Sequence, residues 1–159
     1  MLDLHSPRWQ ELRQAYGGAE DVPRLLEALA TLDGEPERAE LWFGVWALLC
    51  PEDAIASVAY AAVPHLLAIT ASRGIFERAA ALHVAAHVES SRHLSNAPAI
   101  PDDLVEDYAT AIESLPVLVA DAALTPWDSA VAQVMAAALL VGKRHPALAR
   151  SVLQLGARP

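Results

Sequence analysis

Two histidines, His83 and His87, lie four residues apart in an alanine-rich stretch of the chain. In an α-helix this spacing places both side chains on one face, and two imidazoles on one face can bind the same metal ion. A zinc peptidase of the HExxH type would also need a glutamate directly after the first histidine, where this chain has Val84. We favour a packing role, on a stripe shared with Phe76 and Ala80, and predict no bound metal.

An alternative hypothesis is a small-ligand or metal-dependent enzyme centred on a histidine cluster. Its residues would be His65, His83, His87 and His93, with Trp42 or Trp46 lining the pocket. Aromatic pairs at helical spacing are more typical of a core than of a ligand-stacking wall. The sequence also contains none of the glycine-rich or nucleophile motifs of acyl transfer, phosphoryl transfer or dinucleotide binding. We therefore predict a protein that is not an enzyme, with no catalytic residue and no cofactor.

Acidic residues are concentrated in one part of the chain. From His93 to Gly142 there are seven Asp and Glu and no Lys or Arg, and the net charge of the whole chain is −9. The segment from Lys143 to Pro159 has the opposite character, with four basic residues and no acid. Because nucleic-acid binding depends on neutralising phosphates with Lys and Arg, this composition argues against a nucleic-acid partner.

The acids around Asp103 lack the central glycine of a calcium-binding loop. Two interpretations remain for Asp103, Glu106 and Asp107: a solvated helix surface, or a recognition surface for a basic protein. Recognition would make association fast at low salt and slower as salt rises. The candidate binding residues from the sequence are Trp42, Trp46, His83, His87, Asp103, Glu106 and Asp107.

Length and composition indicate a single domain spanning residues 1–159. The hydrophobic fraction is 54%, and its excess is mostly alanine, which favours helices. The stretch from Ala54 to Ser72 has no formal charge, but its proline and polar residues favour a buried helix over a membrane span. The single cysteine, Cys50, and an N-terminus without an apolar run predict a cytoplasmic protein with no membrane contact.

Four prolines recur in a similar setting, each followed by apolar residues: Pro23, Pro64, Pro116 and Pro146, at successive distances of 41, 52 and 30 residues. A helical unit that returns every 40 to 47 residues or so is typical of HEAT and armadillo helix pairs. Caps, glycines and prolines predict eight helices, at about 7–16, 21–32, 36–50, 53–72, 75–91, 102–124, 126–141 and 146–155. The fourth helix is predicted to continue through Pro64 with a kink.

The segment from Tyr60 to Leu67 resembles a first helix of the HEAT-like α-solenoids, and the chain from about Glu20 to Leu155 is similar to uncharacterised bacterial HEAT-like proteins. HEAT repeats place an aspartate near the turn and a basic residue early in the second helix. Asp33 with Arg38, and Arg78, come near this pattern, whereas the unit after Pro116 has neither residue.

The resemblance implies an all-α, right-handed α-α superhelix of about three helix pairs plus terminal helices. It also implies a protein-binding scaffold with a concave groove. A narrower hypothesis is an inhibitor or immunity-type partner of a basic protein. The oligomeric state and the identity of the partner stay open.

Overall fold

The computed structural model describes residues 1–14, 17–31, 35–51 and 54–155, apart from the side chains at 35 and 36. This part of the chain is mostly helical, as predicted, with one small two-stranded sheet. Its α-helices are α1 (Asp21–Thr31), α2 (Glu35–Leu49), α3 (Val58–Thr70), α4 (Ile75–Ser91), α5 (Val105–Ala122), α6 (Ser129–Gly142) and α7 (Pro146–Gln154). No helix in the described ranges is both long and apolar enough to cross a membrane.

The N-terminal segment differs from the single helix that we predicted at 7–16. The Ser6 hydroxyl accepts a hydrogen bond from the Arg8 backbone N–H at 3.2 Å, so the capping signal before Pro7 is genuine. The turn that follows is a 3₁₀-helix, Pro7–Glu11, and Leu12 already has an extended backbone. Strands β1 (Arg13–Gln14) and β2 (Gly17–Gly18) then pair antiparallel. Gly17 has a φ of +152°, which only glycine adopts readily, and this explains why a helix cannot continue here.

Helix α3 is continuous through Pro64, which confirms that part of the prediction. It begins at Val58 and not at Asp53, a residue that lies outside the described part of the chain. The residues just before it are held by other contacts. The Ala56 N–H donates to the carbonyl of Leu49 at 3.1 Å, and the Ser57 hydroxyl accepts from the Arg13 N–H in β1 at 3.0 Å.

The predicted bounds hold for α4, and α5 begins after a short 3₁₀-turn, Asp102–Leu104, that contains the predicted acidic first turn. The predicted start of α6 at Pro126 is wrong. The cap is Asp128, whose carboxylate accepts from the Val131 N–H at 2.8 Å. Trp127, just before this cap, donates its indole N–H to the carbonyl of Ala122 at the end of α5, at 3.1 Å. The predicted end of the second helix at Asp33 and Gly34 lies outside the described residues.

Helices pack in consecutive pairs, α1 with α2, α3 with α4 and α5 with α6. Helix α3 also contacts α1 and α5, while α4 contacts α6. Side-chain contacts link α2 to α4 at both ends: Arg38 pairs with Glu77, and Trp46 lies against His83 and His87. The order of these contacts shows that α2 and α4 run in the same direction. Helix α7 departs from the alternation because it packs on both α6 and α4.

The four recurring prolines lie on α1, α3, α5 and α7, but at different positions in each helix. Pro23 is in the first turn of α1, Pro64 is in the middle of α3, Pro116 is in the second half of α5, and Pro146 is the first residue of α7. Their recurrence therefore marks alternate helices without marking an equivalent structural position.

Gly142 of α6 packs tightly against Pro116 of α5, and this predicts a stability effect. A Cβ atom at position 142 would lie 2.5 Å from Pro116 Cδ and 2.7 Å from its Cγ. Because the pyrrolidine ring cannot move away, we expect Gly142→Ala to lower the free energy of unfolding by about 1–3 kcal/mol in urea titrations.

A matched variant in another helix should have the opposite sign. At Gly44, in α2, the nearest atoms to an added Cβ belong to Leu25 at 3.6 Å, an ordinary contact distance. Gly44→Ala should therefore stabilise the protein by up to about 1 kcal/mol. Pro116→Ala in the Gly142→Ala background should recover part of the loss, and additive effects at the two positions would contradict the clash.

Candidate functional site

The predicted pair His83 and His87 does share one face of α4, and that face is covered by Trp46 of α2. The ring centroid of Trp46 lies 4.7 Å from that of His83 and 5.1 Å from that of His87, both in tilted geometry. Burial, with a smaller contribution from the charge of His87, lowers the pKa of His83 from 6.5 to about 4. His83 is therefore a neutral ring at pH 7, held between an indole and a second imidazole.

These three rings form one wall of a small cavity of about 240 Å³ between α2, α4 and α7. The described residues that line it are Trp46, His83, His87, Ser90, Ser91, Arg150, Leu153 and Gln154. Trp42, which was a candidate with Trp46, is not among them. It is one turn earlier on α2, is only 9% exposed and belongs to the hydrophobic core.

The other two histidines of the proposed cluster lie elsewhere, so the structure does not bring the four together. His65, on α3, has its Nε2 2.8 Å from the carbonyl of Leu2, and burial lowers its pKa. His93 follows α4, with its Nε2 3.3 Å from a carboxylate oxygen of Glu89. Within the described ranges, no three His, Cys, Asp or Glu side chains are placed to hold a metal ion.

Cys50 is a buried free thiol, 2% exposed, at the end of α2. Burial raises its pKa to about 12, so it is protonated at neutral pH. Because the thiolate is the reactive form of cysteine, this arrangement favours a packing role for Cys50 over a nucleophilic one.

Two of the three acidic candidates form ion pairs with the N-terminal segment. Asp103 accepts two hydrogen bonds from the Arg8 guanidinium, at 2.9 and 3.0 Å, and the hydrogen bond lowers the pKa of this carboxyl. Asp107 lies 2.6 Å from the amino group of Met1. Glu106 is exposed and has no ion pair with any described residue.

Sequence reasoning missed a buried polar cluster around Glu89, at the end of α4. The carboxylate is 7% exposed and makes four contacts. Arg92 donates to both of its oxygens, at 2.5 and 2.7 Å, the Tyr108 hydroxyl donates at 3.0 Å, and His93 completes the set. The hydrogen bond to Glu89 raises the pKa of Arg92, and burial raises that of Tyr108 well above 10.

The Glu89 cluster forms the floor of a larger cleft of about 530 Å³. Its walls come from the first half of α5, with Val105, Ala109 and Ile112, and from the α6–α7 turn. Glu113 and Arg144 face each other at its edge, 3.3 Å apart and both highly exposed. Since every hydrogen-bonding oxygen of Glu89 is already occupied, the cluster supports the walls of the cleft and does not offer a free acid or base.

Comparisons with known proteins give no relative for this chain. No protein-family model matches it, and neither a curated protein nor a solved structure is significantly similar.

The low pKa of His83 predicts a stability change in acid. The unfolded chain binds a proton at this site below about pH 6.5, whereas the folded protein resists protonation down to about pH 4. His83 thus contributes stability above pH 6.5 that is lost as the pH falls to 4, by up to about 3 kcal/mol. The difference in unfolding free energy between the wild type and His83→Gln should shrink over this range in urea titrations. A difference that stays constant with pH would contradict the assignment.

The Glu89 cluster predicts a graded response to substitution. Glu89→Gln leaves the Arg92 charge without its partner and should cost about 3 kcal/mol of unfolding free energy. Tyr108→Phe removes one hydrogen bond to the carboxylate and should cost about 1–3 kcal/mol. Thermal unfolding followed by circular dichroism measures both effects. If Glu89→Gln is no more destabilising than Tyr108→Phe, the ion pair with Arg92 is not the dominant contact.

Proposed function

We propose that this chain is a non-enzymatic protein-binding module that holds a basic segment of a partner protein over helix α5. The supporting observation is an exposed row of side chains, the α5 ridge, formed by Glu106, Thr110, Glu113 and Val117 at helical spacing. Glu106 has no ion pair with a described residue, and the pair between Glu113 and Arg144 is exposed and weak. Val117 is 62% exposed.

The α5 ridge lies between two depressions that could take side chains of a partner. On one side is the 530 Å³ cleft above the Glu89 cluster. On the other is an apolar groove of about 310 Å³ between α3 and α5, lined by residues that include Pro64, Leu67 and Leu118. A ridge of negative charge with apolar depressions beside it is complementary to a segment that carries both basic and apolar side chains.

The order of the helix contacts supports a stack of HEAT-like helix pairs as the scaffold for this surface. Alternate helices contact one another, α1 with α3 and α3 with α5 on one side, and α4 with α6 on the other. In a right-handed stack of this kind, each layer presents a continuous face to a partner. Helix α7, which packs against α4 and α6, would then be a terminal helix that covers the apolar side of the layer formed by those two helices.

Charge also favours this class of function. A net charge of −9 raises the rate of encounter with a basic protein and lowers that with phosphate backbones. An inhibitor or immunity-type protein that blocks a basic partner would use the same surface. We also propose that this chain acts in the cytoplasm. The histidine-centred enzyme is less well supported, because His65 and His93 lie apart from the pair formed by His83 and His87.

The test compares two double variants with equal change of charge. Glu106→Gln/Glu113→Gln neutralises the α5 ridge, and Glu37→Gln/Glu40→Gln neutralises two exposed acids of α2 as a control. Each protein is used to capture binders from a lysate of its native organism, with quantitative mass spectrometry. We expect a basic protein to be retained by the wild type and the control and to be reduced about tenfold by the ridge variant.

Association rates with that purified partner then complete the test. The rate for the wild type should fall as salt rises from 50 to about 300 mM, since exposed charges are screened over about 8 Å at physiological ionic strength. Equal capture by the ridge and control variants, or an association rate that does not depend on salt, would refute the proposed surface.

A further inference from the structure

We propose that the cavity between α2, α4 and α7 is a binding site for a small monocarboxylate with an apolar body. The site is separate from the α5 ridge and does not depend on it. Its described lining combines one guanidinium, from Arg150, with the Trp46 ring, the Leu153 side chain and the buried hydroxyls of Ser90 and Ser91.

Arg150 carries the argument. It is partly buried, and its Nη1 atom is inaccessible to water and has no hydrogen-bond partner in the described protein. Its neighbours one turn away on α7 are Pro146, Ala147, Leu153 and Gln154, none of which is an acid. The rest of the side chain is partly exposed, but a buried guanidinium N–H without an acceptor is costly, and a bound anion would supply both that acceptor and a counter-charge.

The other groups of the cavity add no charge that would compensate Arg150. The low pKa of His83 keeps that ring neutral at pH 7, and no Asp or Glu is among the described lining residues. The Ser90 hydroxyl donates its hydrogen to the carbonyl of His87 at 3.1 Å. The lone pairs of the Ser90 oxygen point away from that bond. Arg150 therefore supplies the only permanent charge among the described lining residues, and one permanent positive charge matches a monoanion.

The size of the cavity and its apolar walls favour a carboxylate with an apolar body over a bare inorganic anion. At about 240 Å³ the cavity is below the roughly 300–1,000 Å³ of sites for drug-sized ligands, so its occupant is small. The planar fork of an arginine matches the two oxygens of a carboxylate. Trp46 and Leu153 would contact the rest of the ligand, and a bare oxyanion would leave these apolar walls unused.

The site is held in place by contacts outside the cavity. Gln133 of α6 donates from its side-chain amide to the carbonyls of Val152 and Leu153, at 2.6 and 3.1 Å. These bonds fix the last turn of α7 on α6, and Ala149 is fully buried beside Arg150. The guanidinium therefore projects from a positioned helix, as a preorganised site requires.

Benzoate is the probe, and benzamide is its neutral counterpart of the same shape. Binding is followed by calorimetry and by the indole N–H signals of the four tryptophans in NMR spectra. Trp46→Phe identifies the signal of Trp46. We expect benzoate to bind with one-to-one stoichiometry and to shift the Trp46 signal more than the other three. Benzamide should bind at least about tenfold more weakly, because it lacks the charge.

Two arginine variants separate the site from a general effect of charge. Arg150→Gln should weaken benzoate binding at least about tenfold, whereas Arg24→Gln, at an exposed position on α1, should leave it unchanged. Arg150→Lys keeps the charge without the planar fork and should fall between them. If Arg150→Gln does not fold, the comparison of benzoate with benzamide on the wild type and Arg150→Lys still decides the question.

Three results would overturn the proposal. One is the absence of benzoate binding to the wild-type chain, and another is equal binding of benzoate and benzamide. The third is inorganic phosphate binding as tightly as benzoate, since this would show that the apolar walls contribute nothing. Benzoate binding that survives in Glu106→Gln/Glu113→Gln would confirm that this site is independent of the α5 ridge.

Discussion

The burial of the Glu89 carboxylate is the constraint on which the second half of the molecule depends. A buried carboxylate is tolerated only if both of its oxygens have hydrogen-bonding or charged partners. Here Arg92, His93 and Tyr108 are those partners. Glu89 lies at the end of α4, Arg92 and His93 follow that helix, and Tyr108 lies on α5, so the hydrogen bonds of one carboxylate fix how these three segments meet. The T-shaped contact of Tyr108 with Tyr60, at 5.1 Å, extends the same constraint to α3.

A second constraint, the close approach of Gly142 to Pro116, acts on the opposite end of α5. Together the two hold α5 between α4 and α6 with little freedom to rotate. The direction in which the α5 ridge faces is then set by contacts on the buried side of the helix. This explains how an exposed row of charges with almost no internal partners can still have a defined geometry, which recognition of a partner requires.

The sequence was sufficient to predict most of the helices, because their bounds are decided locally. Helix α4 was predicted to the residue, and the continuity of α3 through Pro64 followed from an apolar stripe that stays in phase. The errors occur where a side-chain hydrogen bond replaces the capping and proline signals that the sequence shows. The Ser57 hydroxyl accepts a hydrogen bond from the backbone of β1, and α3 begins only after this residue. The Trp127 indole donates to the end of α5, and Asp128 is the residue that caps α6. The Glu89 cluster was missed for the same reason, since Tyr108 lies 19 residues away in sequence.

The candidate sites show how far residue type alone can mislead. Histidines at helical spacing suggested metal chemistry, yet Trp46 covers this face of α4 and burial keeps His83 neutral at pH 7. The charge in this cavity comes from Arg150, on a different helix and in the basic end of an acidic chain. The α5 ridge carries negative charge, whereas the α7 cavity carries positive charge. The two proposed ligands, a basic protein and a small anion, would therefore be selected by opposite charges and would not compete for one surface.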